Sequence, residues 1–226
     1  MIGIVACIAC GFLLLLFKSP GAVIPEKRTA DVVAEIAAGT MGGGTGSSVK
    51  QVEAVDIEGE FIAFEGQPGE TTNDWPRFRG TDFSNVVGDS VPLAESWGSN
   101  GPPKMWDKAI NLGEGHSGPV VWKGKIFVMD YDEEKKGDAL RCFSITDGQE
   151  IWRRWYKAPT KRNHGVSRTV PAVTDQYVVA IGPRCHVMCA DTETGSFRWG
   201  IDMVAEYGAE VPLWYTGQCP LIDKGT

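Results

Sequence analysis

A block of this sequence recurs after 47 residues, and that period restricts the fold more than any other feature of the chain. Cys142-Phe143-Ser144-Ile145-Thr146-Asp147-Gly148-Gln149-Glu150-Ile151-Trp152 aligns with Cys189-Ala190-Asp191-Thr192-Glu193-Thr194-Gly195-Ser196-Phe197-Arg198-Trp199, with Cys, Gly and Trp in register. Trp106, 46 residues before Trp152, keeps the interval. The stretches upstream repeat as well. Pro119-Val120-Val121, Lys123-Gly124-Lys125 and Ile126-Phe127-Val128-Met129 match Pro171-Ala172-Val173, Asp175-Gln176 and Tyr177-Val178-Val179-Ala180-Ile181. The offset there is 52, which places a five-residue insertion in a hairpin. A third copy opens at Cys219-Pro220-Leu221-Ile222-Asp223-Lys224-Gly225.

Each copy reads as short strands. Val120-Val121 and Ile126 to Met129 flank a Lys123-Gly124 turn; Leu140 to Ile145 is followed by an Asp147-Gly148 turn into Glu150 to Trp155. Thr194-Gly195 turns the second copy in the same way. Four strands in about 47 residues, with Gly and Trp at fixed places, are the pattern of a propeller blade. Gly supplies a turn with positive φ, and Trp a broad surface for packing between neighbouring blades. A β-sandwich with fortuitous spacing is the competing fold, and the three in-register identities argue against it. The expected fold class is all-β: blades of four antiparallel strands in a partial propeller, preceded by an N-terminal hydrophobic helix and a linker.

Composition narrows the function classes. With 22 basic against 29 acidic side chains the net charge is −7, the wrong sign for a nucleic-acid footprint. An apolar fraction of 42% and eight Trp are enough to offset ordering entropy, so the chain is not of disordered composition.

Residues 2–17 form an apolar run that ends at Lys18-Ser19-Pro20. As a helix, sixteen residues rise about 24 Å, a little short of a hydrocarbon core of about 30 Å. Residues 1–18 therefore read as a signal peptide or signal anchor. Lys18, Lys27 and Arg28 follow the run, which under the positive-inside rule opposes export. The downstream composition is that of an exported chain, and no Ala-x-Ala site follows, which favours a retained anchor. Ile4-Val5-Ala6-Cys7 loosely resembles an acylation box but stands too near the N-terminus, so Cys7 and Cys10 read as apolar helix residues. Residues 31–39 read as a short helix, and Met41-Gly42-Gly43-Gly44-Thr45-Gly46-Ser47-Ser48 as flexible linker within a low-order stretch 19–73.

The repeat resembles that of pyrroloquinoline-quinone (PQQ) propellers, Ala-x-Asp-x-x-Thr-Gly-x-x-x-Trp, found in PQQ alcohol dehydrogenases and in BamB-like outer-membrane assembly lipoproteins. Asp191, Thr194, Gly195 and Trp199 match it, with Cys189 in place of Ala; Gly148 and Trp152 match in the other copy, where Ser144 and Asp147 replace Asp and Thr. Asp74-Trp75-Pro76-Arg77-Phe78-Arg79-Gly80 resembles the opening of bacterial, especially planctomycete-type, members. The likeness covers residues 74–226. It implies the N-terminal part of a longer propeller, since such rings hold about seven or eight blades.

Chemistry-bearing residues are few. His116 and His164 precede matching first strands of two blades, with Arg168 close by. Equivalent placement puts them near one end of a central channel, as an anion or cofactor site or as polar packing in the loops. Cys185-His186-x-x-Cys189 lacks both the haem attachment order and a second zinc pair, and reads as structural. As a strand it would hold the two thiols about 13 Å apart. Cys142 and Cys189 read as buried apolar residues, and a disulfide among the cysteines is unassigned. The acidic stretch 130–138 lacks the Gly and Glu of a calcium loop and reads as a solvated tip. Trp214-Tyr215, with Trp152, Trp155 and Trp199, fits either ligand stacking or blade packing, and the spacing favours packing. No Gly-x-Ser-x-Gly, His-Glu-x-x-His or dinucleotide motif occurs.

The expectation is an exported, membrane-anchored propeller that binds or scaffolds, with the propeller on the extracytoplasmic side. Its partners would be other envelope proteins or the remainder of the propeller, with no nucleic acid. No metal and no cofactor are expected. The alternative is the N-terminal part of a PQQ-dependent alcohol or sugar dehydrogenase, and only there does the resemblance imply PQQ with calcium.

Overall fold

In the computed structural model the described residues are 54–70, 73–87, 94–107, 110–162 and 165–223. The segment 1–18, the helix read at 31–39, the glycine linker at 41–48 and His164 lie outside them. Among the described residues no helix is long and apolar enough to cross a membrane.

The described residues form an all-β fold whose sheets are antiparallel. Strands β1 (Glu60–Ala63), β2 (Val120–Trp122), β3 (Lys125–Asp132), β4 (Gly137–Ser144) and β5 (Glu150–Lys157) form one sheet in the order β1-β5-β4-β3-β2. Strands β6 (Ala172–Val173), β7 (Tyr177–Ile181), β8 (His186–Asp191) and β9 (Phe197–Asp202) form a second in chain order. One short helix, α1 (Met203–Tyr207), follows β9. It is capped by the Asp202 carboxylate, which accepts from Val204 and Ala205 N–H, and ends at Gly208 with φ 64°.

Each copy of the repeat coincides with one four-stranded meander, and their registers agree in detail. Phe127 faces Cys142, which faces Trp152; Val179 faces Cys189, which faces Trp199. A bulge follows Cys142 in one sheet and Cys189 in the other. The turns match as well, Gly148 N–H bonding Ser144 O at 3.0 Å and Gly195 N–H bonding Asp191 O at 2.9 Å. Lys123 and Gly124, with φ 46° and 76°, close the β2–β3 hairpin as a type I′ turn requires. The five-residue insertion is the longer β3–β4 hairpin, whose strands of eight residues compare with five and six in β7 and β8.

The core lies between the sheets. Phe127, Met129, Leu140, Cys142, Trp152 and Tyr156 meet Val178, Ala180, Met188 and Ala190 in one cluster. Alternation on β5 sends Trp152, Arg154 and Tyr156 inward and leaves Ile151, Arg153 and Trp155 partly exposed. Arg154 is nonetheless stabilised there. It stacks between Phe61 and Phe197, 5.3 and 5.5 Å from the ring centroids, and donates to Gly195 O at 2.6 Å and Glu58 O at 2.7 Å. Lys125, 2% exposed, reaches Glu193 at 2.6 Å across the same junction.

Three expectations are corrected. Part of the stretch read as linker is folded: β1 pairs with β5, and Ile57 enters the core beside Gly200. The pairing partner lies far along the chain, so nothing local marks the strand. The acidic stretch is not all tip, because β3 and β4 extend into it; Asp130 and Asp138 are buried, and within the stretch residues 133–136 alone are exposed. Cys185 is not in a strand but in the β7–β8 turn with φ 67°, its Sγ 3.1 Å from Thr216 Oγ1.

Candidate functional site

The short strands β2 and β6 form the inner edges of the two sheets, and the loops leading into them run side by side. Gly115 and Ser167 form a parallel bridge; His116 N–H donates to Ser167 O at 2.7 Å, and Val166 N–H to Glu114 O at 3.1 Å. Ser117 Oγ donates to Thr169 O at 2.6 Å. Gly165, at φ 82°, leaves room for the His116 ring, since a Cβ there would stand 3.2 Å from it. The offset of 52 makes His116 and Arg168 equivalent positions of the two copies, and the paired loops bring them to one rim. Arg168 donates to Gly165 O at 3.1 Å, and Arg162 pairs with Glu114.

The opening motif binds the two strands that follow these loops. Trp75 N–H and O bond Val121 O and N–H at 2.8 and 2.9 Å, Pro76 O accepts Val173 N–H at 2.9 Å, and Asp74 accepts Lys123 N–H at 2.8 Å. Asp74–Pro76 thus satisfies backbone groups on both inner edges. Chemically the rim offers an exposed imidazole and two guanidinium groups, one held by Glu114, which suits an anionic or hydroxyl-rich surface.

A second constellation was not legible as a site. On the side of the first sheet turned away from the core, Arg141 is buried and donates to both oxygens of Glu150 at 2.8 and 3.0 Å, to Asp130 at 2.9 Å and to the carbonyls of Ile110 and Asn111 at 3.1 Å each. Arg153 makes a second fork onto Glu150 at 2.9 and 2.7 Å. Burial disfavours the charge on Glu150, yet the two guanidinium groups hold its carboxyl below the usual range. Two open cavities, of about 570 and 580 Å³, flank this network, with Arg141, Arg153 and Asn111 in both walls. The signal in the sequence was charged residues set inside otherwise apolar strands, as in Leu140-Arg141-Cys142.

The repeat residues sit at the turns and the junction. Asp147 accepts Gln149 N–H at 3.0 Å, and Asp191 accepts Thr194 N–H at 2.8 Å, Thr194 Oγ1 at 2.9 Å and Arg198 at 2.6 Å. The Trp106 ring lies against Gly148, and Trp152 against Gly195. Trp199 is 43% exposed, whereas Trp152 is 2% exposed. Cys142 and Cys189 are buried; burial pushes the Cys142 thiol upward and that of Cys189 to about 11, so neither is a ready nucleophile. The four described cysteines form no disulfide.

Among the described residues no three His, Cys, Asp or Glu side chains are gathered to hold a metal ion. The carboxylates of buried Asp130 and partly buried Glu150 are neutralised by arginine and do not fit a calcium ion. Neither a family model nor a curated protein matches this chain.

Proposed function

We propose that this chain is part of a PQQ-like β-propeller, exported and anchored to the membrane, that acts as a binding and scaffold module in the cell envelope in the manner of BamB-like lipoproteins. What carries the proposal is the recurring seat of a Trp on the turn glycine one interval later, Trp106 on Gly148 and Trp152 on Gly195. A contact that repeats with the sequence period is what stacked blades require. Val179, Cys189 and Trp199 stand on the second sheet where Phe127, Cys142 and Trp152 stand on the first, so the second sheet offers a further sheet the same grip. Binding would use the His116–Arg168 rim, where loops of successive blades converge.

The test uses the protein as its gene encodes it. Small-angle scattering and electron microscopy should give a ring, and the protein mixed with PQQ and calcium should reduce no dye on addition of alcohols or sugars. A non-annular particle overturns the propeller. A quinone absorbance band with substrate-dependent dye reduction overturns the scaffold in favour of a dehydrogenase.

A further inference from the structure

We propose that Asp138 and His186 act as one proton-sharing unit at the junction of the two sheets, whose opposite demands level the response of the junction to acid and loosen it above neutrality. This rests on neither the propeller nor the envelope proposal. Asp138, on β4, is fully buried at 0% exposure. Its Oδ2 accepts the Tyr156 hydroxyl at 2.8 Å, and its buried Oδ1 has no hydrogen-bond donor. His186, on β8 of the other sheet, is 3% exposed; its Nδ1 lies 4.0 Å from Asp138 Oδ2 and is also without a hydrogen bond. The Tyr156 and His186 rings meet edge to face at 5.6 Å. Gly182 seals the pocket, since a Cβ there would come within 2.4 Å of Asp138 Oδ2 and 2.5 Å of the Tyr156 hydroxyl.

The groups facing the pair come from every neighbouring element. Tyr131 of β3 is the cross-strand partner of Asp138, Tyr156 belongs to β5, Arg184 to the β7–β8 turn, and Asp202, at the end of β9, is the cross-strand partner of His186. A buried carboxylate with a single donor is poorly solvated, and so is a buried imidazolium. Burial raises Asp138 to about 7 against the pull of the Tyr156 hydroxyl and Arg184. Burial lowers His186, Asp202 opposes this, and Arg184 adds to it.

The proton count gives the signs. In mildly acidic solution the unfolded chain carries the proton on His186 and leaves Asp138 ionised. Wherever folded His186 is neutral, the fold carries one proton on Asp138 instead. Folding then moves a proton from imidazole to carboxyl, binds none and releases none, and stability is level with pH. Above about 6.5 the unfolded histidine loses its proton while folded Asp138 keeps its own until about 7. Stability therefore falls as pH rises through that step.

Each half can be exposed by removing the other. Urea unfolding of the full chain, D138N and H186Q from pH 5 to 8 reads the slopes directly. D138N, left with the histidine, should gain stability as pH rises to about 6.5; H186Q, left with the carboxyl, should lose stability as pH rises to about 7. The H186Q slope should approach a tenfold change in the folding constant per pH unit, the D138N slope should carry the opposite sign, and the parent chain should be flatter than both between pH 5 and 6.5. Parallel slopes in all three overturn the proposal. Should either variant fail to fold, carbon-13 NMR of the parent decides it. An Asp138 carboxyl titrating near 7, together with the His186 ring signals, supports the unit; titration at the ordinary value near 3.8 overturns it.

Discussion

A Cβ on Gly195 would stand 2.7 Å from Cδ2 of Trp152, and Gly195 holds φ at 70°. The same relation joins Trp106 and Gly148, where the approach would be 2.9 Å and φ is 68°. One residue type meets two requirements at each turn: a left-handed backbone and a bare surface for an indole.

Gly195→Ala breaks both. Left-handed φ at a non-glycine residue costs about 1–2 kcal/mol, and displacing a buried indole adds about 1–3 kcal/mol. Urea unfolding should show a loss of about 2–4 kcal/mol. Gly98→Ala, with nothing within 4 Å, should stay within about 0.5 kcal/mol.

Trp152 and Trp199 occupy equivalent register positions but opposite environments. Trp152→Ala should destabilise the chain by about 3–5 kcal/mol. In residues 1–226 alone Trp199→Ala should change stability by less than about 1 kcal/mol, because the ring is exposed there; where a further sheet covers the ring, the loss should approach that of Trp152→Ala.

Arg141→Ala takes the guanidinium from buried Asp130 and leaves its carboxylate the Gly113 N–H at 2.8 Å. Breaking a buried ion pair on one side costs about 3–5 kcal/mol. Arg141→Lys keeps the charge but cannot serve two carboxylates and two carbonyls, so an intermediate loss is expected. Hydrogen exchange in residues 110–113 should quicken in both variants.

Asp191 gives a pH signature of opposite sign to that of Asp138. Burial opposes its charge, but the Thr194 N–H, the Arg198 guanidinium, the Thr194 hydroxyl and the Glu193 N–H outweigh it and hold the carboxyl at about 2. A folded value below the unfolded 3.8 means the stabilisation is present above pH 3.8 and lost as pH falls toward about 2. Discounted for its solvent contact, this amounts to about 1–2 kcal/mol. Acid titration of unfolding should show that loss in the parent chain and not in Asp191→Asn.

The sequence period exposed the strands of each copy, their turns and the cysteine–tryptophan ladder, because these features repeat locally and are fixed by side-chain alternation and by glycine. His116 and Arg168 could be named from their places before the first strands; that their loops pair backbone to backbone could not. Strand β1 escaped notice because its pairing with Trp152–Trp155 is a tertiary event. Asp130, Asp138 and Glu150 are acidic residues in or beside turns, a pattern that ordinarily marks solvent. The arginine and tyrosine brought to them by neighbouring strands explain the burial of Asp130 and Asp138 and the partial burial of Glu150.

Strand β1 also sets a timetable for synthesis. It leaves the ribosome about 90 residues before its partner β5, roughly 5–20 s at ordinary elongation rates. During that wait Phe61 and Ile62 belong to no sheet, and Ile57 waits longer still for Gly200. Among the described strands, β1 waits longest for its partner. Closure over such separations is slow and tends to come late in folding. Chaperone demand and misassembly on the nascent chain should therefore centre on residues 57–63 rather than on the two meanders, whose neighbours arrive within a few residues of one another.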